Sequence, residues 1–301
     1  MTGANFRSED IPDLSGQVII VTGGNAGLGL ETIKQLSQHN PARIYLAARS
    51  EEKAEAAIKQ IKEGNPKTSP ISFLQLDLAS FASIRAAAET FTKSESRLDI
   101  LINNAGIMMT PEGLTKEGYE IQFGTNVMGP ALFSHLLLPV LQNTVKTNPQ
   151  TRVVMLASAS EKMAPSDAYQ LEELKTTMPH RNTTARYTLS KLAAIHYATA
   201  MAERHHDVKF LSVHPGMVAT NLHHSSTGFF LRPFLYSAIM FATPVEKGAL
   251  SQIWAAVSPD AKAGEYYGPI GVAGKGSKAS KNRELQEKIF KWIQDELQGH
   301  L

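Results

Sequence analysis

Gln17-Val18-Ile19-Ile20-Val21 runs directly into Thr22-Gly23-Gly24-Asn25-Ala26-Gly27-Leu28-Gly29, and the reading of this stretch decides the fold. The first five residues are apolar almost without interruption, as in a strand covered on both faces. The glycine-rich turn then opens a helical run. Small residues between a buried strand and a helix let backbone N–H groups and the helix N-terminus face a pyrophosphate, which side chains would block. A plain glycine turn is the alternative, and it leaves the clustering of glycines at these positions unexplained.

Working outward, the strand-then-helix rhythm repeats. Strands are expected at Ala42–Ala47, Ile71–Leu76, Leu98–Ile102, Val153–Leu156 and Val208–Val213. Helices are expected at Leu28–Gln38, Glu51–Lys62, Ser80–Lys93, Asn126–Leu141, Tyr187–Arg204 and Pro244–Val257. Ser80 and Asn126 are candidate N-caps, and Glu51 and Glu52 suit the positive end of a helix dipole. Strands alternating with helices read as βαβ units wound on both faces of a parallel sheet. No repeat or linker marks a boundary, so residues 1–301 read as one domain. Two segments break the rhythm, 161–185 and 223–243. Both follow strand ends, where such sheets form their ligand crevice, so each is a candidate substrate wall or a tolerated surface insertion.

Composition narrows the field. The formal net charge of +2 over 301 residues gives no reason to expect a nucleic-acid or anionic-membrane partner. The absence of cysteine excludes disulfides, zinc–thiolate sites and a thiol nucleophile. The polar opening, MTGANFRSEDIPDLSG, lacks the apolar core of a secretory signal. The greasiest stretch, Phe229–Ala242, is broken by Arg232 and Pro233, so no membrane span and a cytoplasmic location are expected. The adjacent histidines His205-His206 and His223-His224 are poorly spaced for chelation on a helix, and no metal is expected. Lys275–Arg283 reads as a solvated basic loop.

The second strand ends Leu46-Ala47-Ala48-Arg49-Ser50, with no carboxylate to take a ribose 2′-OH and an arginine able to accommodate a 2′-phosphate. NADP(H) is therefore the expected cofactor, although Arg49 could instead pair with Glu51 or Glu52. Tyr187 and Lys191 lie four apart in a helical run and share a face. A phenol of pKa about 10 is a poor base near neutral pH, and a nearby ammonium, helped by the positive charge of an oxidised nicotinamide, would lower that pKa. Ser158, at the end of the fifth strand, could bond a reacting oxygen, with Ser160 as an alternative.

Together these residues resemble the short-chain dehydrogenases/reductases over roughly 14–270. The matching motifs are Thr22–Gly29, Asn103-Asn104-Ala105-Gly106, Ser158, Tyr187-x-x-x-Lys191 and Pro215-Gly216-Met217-Val218-Ala219-Thr220. The resemblance implies a Rossmann-type, doubly wound sheet of about seven parallel strands, in order 3-2-1-4-5-6-7. It implies a catalytic set of Asn126, Ser158, Tyr187 and Lys191, with Asn126 relaying protons through water. It also implies cofactor contacts from Gly23, Asn25, Gly27, Leu28, Gly29, Arg49, Asp77, Leu78, Asn104, Ala105, Gly106, Tyr187, Lys191, Pro215, Gly216, Val218 and Thr220. Lys191 would bond the nicotinamide ribose and depress the Tyr187 pKa.

One departure stands out. Ser158 and Tyr187 are 29 residues apart, further than in the shorter family members. That lengthening, with Asn25–Gly29 and Ser212–Gly216, resembles the retinol-dehydrogenase-like branch. Gly264–Pro269 and Trp292–His300 resemble its fungal reductases. The implied activity is NADP(H)-dependent interconversion of a carbonyl and an alcohol on a bulky hydrophobic ketone or aldehyde. A non-catalytic NADP(H) sensor, an epimerase or an enoyl reductase are the rival readings. By the same resemblance, a homodimer or homotetramer would pair through the helices at Asn126 and Tyr187.

Overall fold

The computed structural model describes residues 5–218 and 243–301. The strands are β1 (Val18–Thr22), β2 (Arg43–Ala48), β3 (Ile71–Gln75), β4 (Ile100–Asn103), β5 (Arg152–Leu156), β6 (Lys209–Val213) and β7 (Tyr266–Tyr267). They form one seven-stranded sheet in the order β3-β2-β1-β4-β5-β6-β7, and every pairing is parallel. This is the expected topology. Its doubly wound character shows in β1, where Val18 and Ile20 join one apolar cluster while Ile19 and Val21 join the other. Period-two geometry sends alternate side chains to opposite faces, so an unbroken apolar strand needs helices on both sides.

Those helices are α1 (Gly27–Leu36), α2 (Glu51–Gly64), α3 (Phe81–Ser94), α4 (Ile121–Val145), α5 (Thr183–Arg204), α6 (Val245–Val257) and α7 (Arg283–Leu297). Cores from α1, α2 and α6 cover one face, and α3, α4, α5 and α7 cover the other. Within α4 the backbone widens into a π turn at Gly124–Met128, a local irregularity often found near functional sites.

Ser80 caps α3 as expected, accepting from Ser83 N at 3.4 Å. Asn126 is not an N-cap. Helix α4 already begins at Ile121, where the Glu120 carboxylate accepts from Phe123 N at 2.7 Å. Likewise α5 starts at Thr183 rather than Tyr187, because Asn182 Oδ1 accepts from Ala185 N at 2.8 Å. A short polar side chain satisfying an otherwise unpaired helical N–H decides each start.

Segment 161–185 is more than a surface insertion. Tyr169, Leu174 and Met178 from it are buried in the sheet's core, and the Tyr169 hydroxyl meets His196 Nδ1 at 2.8 Å. Most of the other expected wall, residues 223–242, lies outside the described residues.

Helix α7, which no strand-and-helix alternation announced, lays Ile289, Phe290, Ile293 and Leu297 onto α4 and α5. Trp292 stands edge-on to Tyr119 and Phe123, both at 5.9 Å between ring centroids. It therefore covers part of the surface expected to pair subunits. Helix α4 is long and apolar enough to cross a membrane by composition alone, yet 78% of its apolar window is buried within the fold, as in a core helix.

One buried carboxylate ties the base of the sheet together. Asp99 accepts from Val18 N at 2.9 Å, from Arg97 Nε and Nη2 at 2.7 Å each, and from Asn148 Nδ2 at 2.7 Å. Asp99→Ala would strand these donors at the start of β1 and β4. We expect it to lower the unfolding free energy by about 3 kcal/mol, measured by urea denaturation. A wild-type midpoint would show that the network carries no stability.

Candidate active site

The glycine turn is shaped by the protein's own atoms as well as by what it could bind. Gly23 and Gly27 have φ of +66° and +53°, a region that costs a side-chain-bearing residue about a kilocalorie or more. At Gly29 a Cβ would lie 2.4 Å from the Gly23 carbonyl oxygen. At Gly24 it would lie 2.5 Å from Ile33 Cδ1. The close approach of α1 to the turn's own backbone therefore demands glycine at 29, and the Ile33 and Leu46 side chains crowd position 24, so ligand approach is not needed to explain either.

What does point to an anion is the start of α1. Helices α2, α3, α5 and α7 are capped by Ser50, Ser80, Asn182 and Asn282. Ala26 at the cap of α1, like Pro244 at that of α6, offers no side-chain acceptor, and at α1 the bare first turn lies directly behind the glycine turn, where its N–H groups remain for a ligand. Asn25 and Leu28 belong to the same turn. The donor set fits a dinucleotide pyrophosphate.

The segment after β4 braces this turn. Asn104 Nδ2 donates to the Thr22 carbonyl at 2.8 Å, and Ala105 N donates to Thr22 Oγ1 at 3.0 Å. Gln252 Nε2 on α6 reaches Asn104 Oδ1 at 3.2 Å.

Arg49 is exposed at the end of β2. Among the described residues it forms no salt bridge, so it does not pair with Glu51 or Glu52 as the alternative required. After β3, Asp77 Oδ1 accepts from Ala79 N at 3.0 Å, and Leu78 turns into the core. Leu78 can therefore meet a ligand mainly through its backbone. After β6, Gly216 (φ +88°) follows Pro215, and Val218 bridges in parallel to Thr243. Thr220 lies outside the described residues.

The second cluster gathers at the ends of β4 and β5. The Asn126 amide clamps the loop after β4: its Oδ1 accepts from Ile107 N at 2.8 Å and its Nδ2 donates to Ile107 O at 3.0 Å. The same Nδ2 donates to Ser190 Oγ at 2.9 Å, joining α4 to α5. Lys191 Nζ donates to the Leu156 carbonyl at 2.7 Å and sits 5.8 Å from the Tyr187 ring centroid. Gly106 leaves room for both groups, since a Cβ there would lie 3.1 Å from Asn126 Oδ1 and 3.4 Å from Lys191 Nζ. Ser158 caps a short 3₁₀ turn, Ala159–Met163, and its hydroxyl hydrogen-bonds toward the Tyr187 phenol. The four residues singled out from sequence thus come together.

Burial pushes the Tyr187 phenol up to about 12, with the Ser158 hydrogen bond pulling the other way. It pushes the Lys191 ammonium down to about 8. The expected depression of the tyrosine is therefore not produced by the chain's residues alone. Desolvation outweighs a cation standing beside the ring rather than at its oxygen.

One supporting feature was invisible in the sequence. Arg186, immediately before Tyr187, lies with its Nε 3.2 Å from Glu120 Oε1, and both side chains are buried. Its Nη2 also donates to Thr110 O at 3.2 Å. This pins the start of α5 to α4, and no local spacing relates the two residues. Among the described residues, no group of three or more histidines and carboxylates gathers in the manner of metal ligands.

Residues 17–169 match the family model for short chain dehydrogenase. A short-chain dehydrogenase/reductase of Armillaria gallica is 39% identical over 294 residues, covering 95% of this chain and 91% of its own. A polyprenol dehydrogenase of Danio rerio is 33% identical, covering 95% and 88%. The crystal structure of an NADPH-bound carbonyl reductase from chicken fatty liver superposes with a TM-score of 0.65 at 20% identity, over 89% of this chain and 97% of that one. It shares the fold. The chain belongs to the short-chain dehydrogenase/reductase family, a family of oxidoreductases. Within that family it resembles fungal members.

Lys191 has a signature in stability. Its pKa lies near 8 when folded, against a reference value of 10.5, so its charge opposes folding below pH 8. That cost falls away as pH rises from 8 to 10.5, where the folded state sheds the proton first. Lys191→Met should therefore resist urea better than the wild type at pH 7. Its advantage should shrink steadily toward pH 10, and a pH-independent difference would refute this account.

Proposed function

We propose that this protein is an NADP(H)-dependent oxidoreductase, one catalytic unit, that interconverts a carbonyl and an alcohol with Tyr187 as acid and base. The observation that carries this reading is the convergence of Tyr187, Lys191, Ser158 and Asn126 beside the glycine turn. When bound, the nicotinamide supplies or accepts the hydride. With its pKa raised by burial, the Tyr187 phenol rests protonated, which suits it to give a proton to an alkoxide as a carbonyl is reduced. Ser158 holds the reacting oxygen. The Lys191 ammonium would bond the nicotinamide ribose, and it favours the phenolate once that proton has left. Asn126 keeps the Ile107 loop in place beside Lys191 and would hold a relay water there.

The exposed Arg49, unpaired among the described residues at the end of β2, supports a 2′-phosphate and hence NADP(H) over NAD. Asp77 and the Leu78 backbone would meet the adenine, and Pro215, Gly216, Val218 and Thr220 the carboxamide. The side chains of Met163 and Met217, 61% and 62% exposed beyond the ends of β5 and β6, offer an apolar rim. This favours a bulky hydrophobic ketone or aldehyde. We read the chain as cytoplasmic. A homodimer or homotetramer would need a surface other than the parts of α4 and α5 under α7.

With NADPH and a panel of bulky apolar ketones and aldehydes, Tyr187→Phe should reduce turnover at least about a thousandfold. NADPH binding, followed by fluorescence titration, should persist. Undiminished turnover would remove Tyr187 from the chemistry. Arg49→Asp should lower kcat/KM with NADPH about tenfold or more while sparing NADH. An unchanged cofactor ratio would refute the 2′-phosphate assignment.

A further inference from the structure

The geometry points to Ser160 as a positioning residue that sets the direction in which Ser158 offers its proton, and through it the ease with which Tyr187 ionises. Two contacts carry this. Ser160 N donates to Ser158 Oγ at 3.2 Å, and the two hydroxyl oxygens, Ser160 Oγ and Ser158 Oγ, are 2.9 Å apart.

A serine hydroxyl has one proton to give and two lone pairs. The Ser160 backbone occupies one lone pair of Ser158 whatever else happens. If the Ser160 hydroxyl donates to the other, both lone pairs are filled and the single Ser158 proton is left for the Tyr187 oxygen. A phenolate can only accept hydrogen bonds, so in the ionised state of Tyr187 the chain of hydroxyls has one useful polarity. It runs from Ser160 to Ser158 to Tyr187, each bond strengthening the next.

In the opposite polarity Tyr187 donates to Ser158 and Ser158 to Ser160, which holds the phenol neutral. Ser160 thus supplies the end donor of a two-serine relay built by a single 3₁₀ turn, whose first residues are Ala159 and Ser160. Its hydroxyl need never touch substrate. This inference rests on the reading of Tyr187 as the acid and base, but its decisive measurement requires no turnover.

Tyr187 is replaced by a polyfluorinated tyrosine, whose phenol is acidic enough to titrate while the protein stays folded, and followed by fluorine NMR. In the Ser160→Ala background, the midpoint should rise by about half to one pH unit, the worth of one neutral hydrogen bond. Ser160→Thr, which keeps the hydroxyl, should restore the original midpoint. An unchanged midpoint in Ser160→Ala, or one that falls, would overturn the assigned polarity. A rise that threonine fails to restore would overturn it too, because the effect would then come from packing rather than from the hydroxyl.

With the alcohol that corresponds to a panel carbonyl the enzyme reduces, the pH profile of its oxidation should move in the same direction by a similar amount. Should no carbonyl turn over, the fluorine titration still decides the role of Ser160, and only the catalytic reading fails.

Discussion

A single ammonium, taken almost wholly out of water, sets the demands that the rest of this structure meets. Lys191 keeps one hydrogen bond to a strand carbonyl, at 2.7 Å from Leu156 O, and among the described residues no carboxylate forms a salt bridge with it. Burying a charge costs several kilocalories even after relaxation. The cost is sustained only if the surrounding frame cannot yield. Helix α5 is packed against the sheet, α4 and α7, and its first turn is pinned by Arg186 to Glu120 and to the Thr110 carbonyl. The charge lies 5.8 Å from the Tyr187 ring centroid and beside Gly106, where a Cβ would come within 3.4 Å of it.

Burial acts on the two partners in opposite senses. It disfavours the charged form of each, so it raises the phenol and lowers the ammonium. The two proton affinities, similar in water, are thereby driven apart, so the phenol holds its proton firmly while the ammonium gives its own up more easily. Ser158 offers a hydrogen bond on the phenol side, while the Leu156 carbonyl holds the ammonium. Desolvation thus sets the resting protonation of the pair, and among the described residues no carboxylate forms a salt bridge with the ammonium.

The same economy governs the phosphate turn. Gly29 lets α1 lie close on the turn, Gly24 makes room for Ile33 and Leu46, and Gly23 and Gly27 let the backbone double back. The turn bonds back to the Ala47 carbonyl through Gly23 N, while the start of α1 has no side-chain cap. Asn104 and Gln252, reaching in from β4 and α6, keep the turn from relaxing.

The amino-acid sequence by itself determined the parts whose cause is local. Apolar runs marked six of the seven strands, a clustered set of glycines marked the phosphate turn, and a four-residue spacing placed Tyr187 and Lys191 on one helical face. These patterns are legible because period, turn chemistry and helix geometry act over a few neighbouring residues. Strand β7 escaped because two residues carry no period. Asn126 was misread as a cap because the Glu120 carboxylate takes that task at the start of α4. Only the tertiary structure decided the pairing of Arg186 with Glu120, the covering of α4 and α5 by α7, and the burial by which the chain's own residues raise the tyrosine. Each of these depends on which distant segments exclude water from one another, and that is settled when the chain closes on itself.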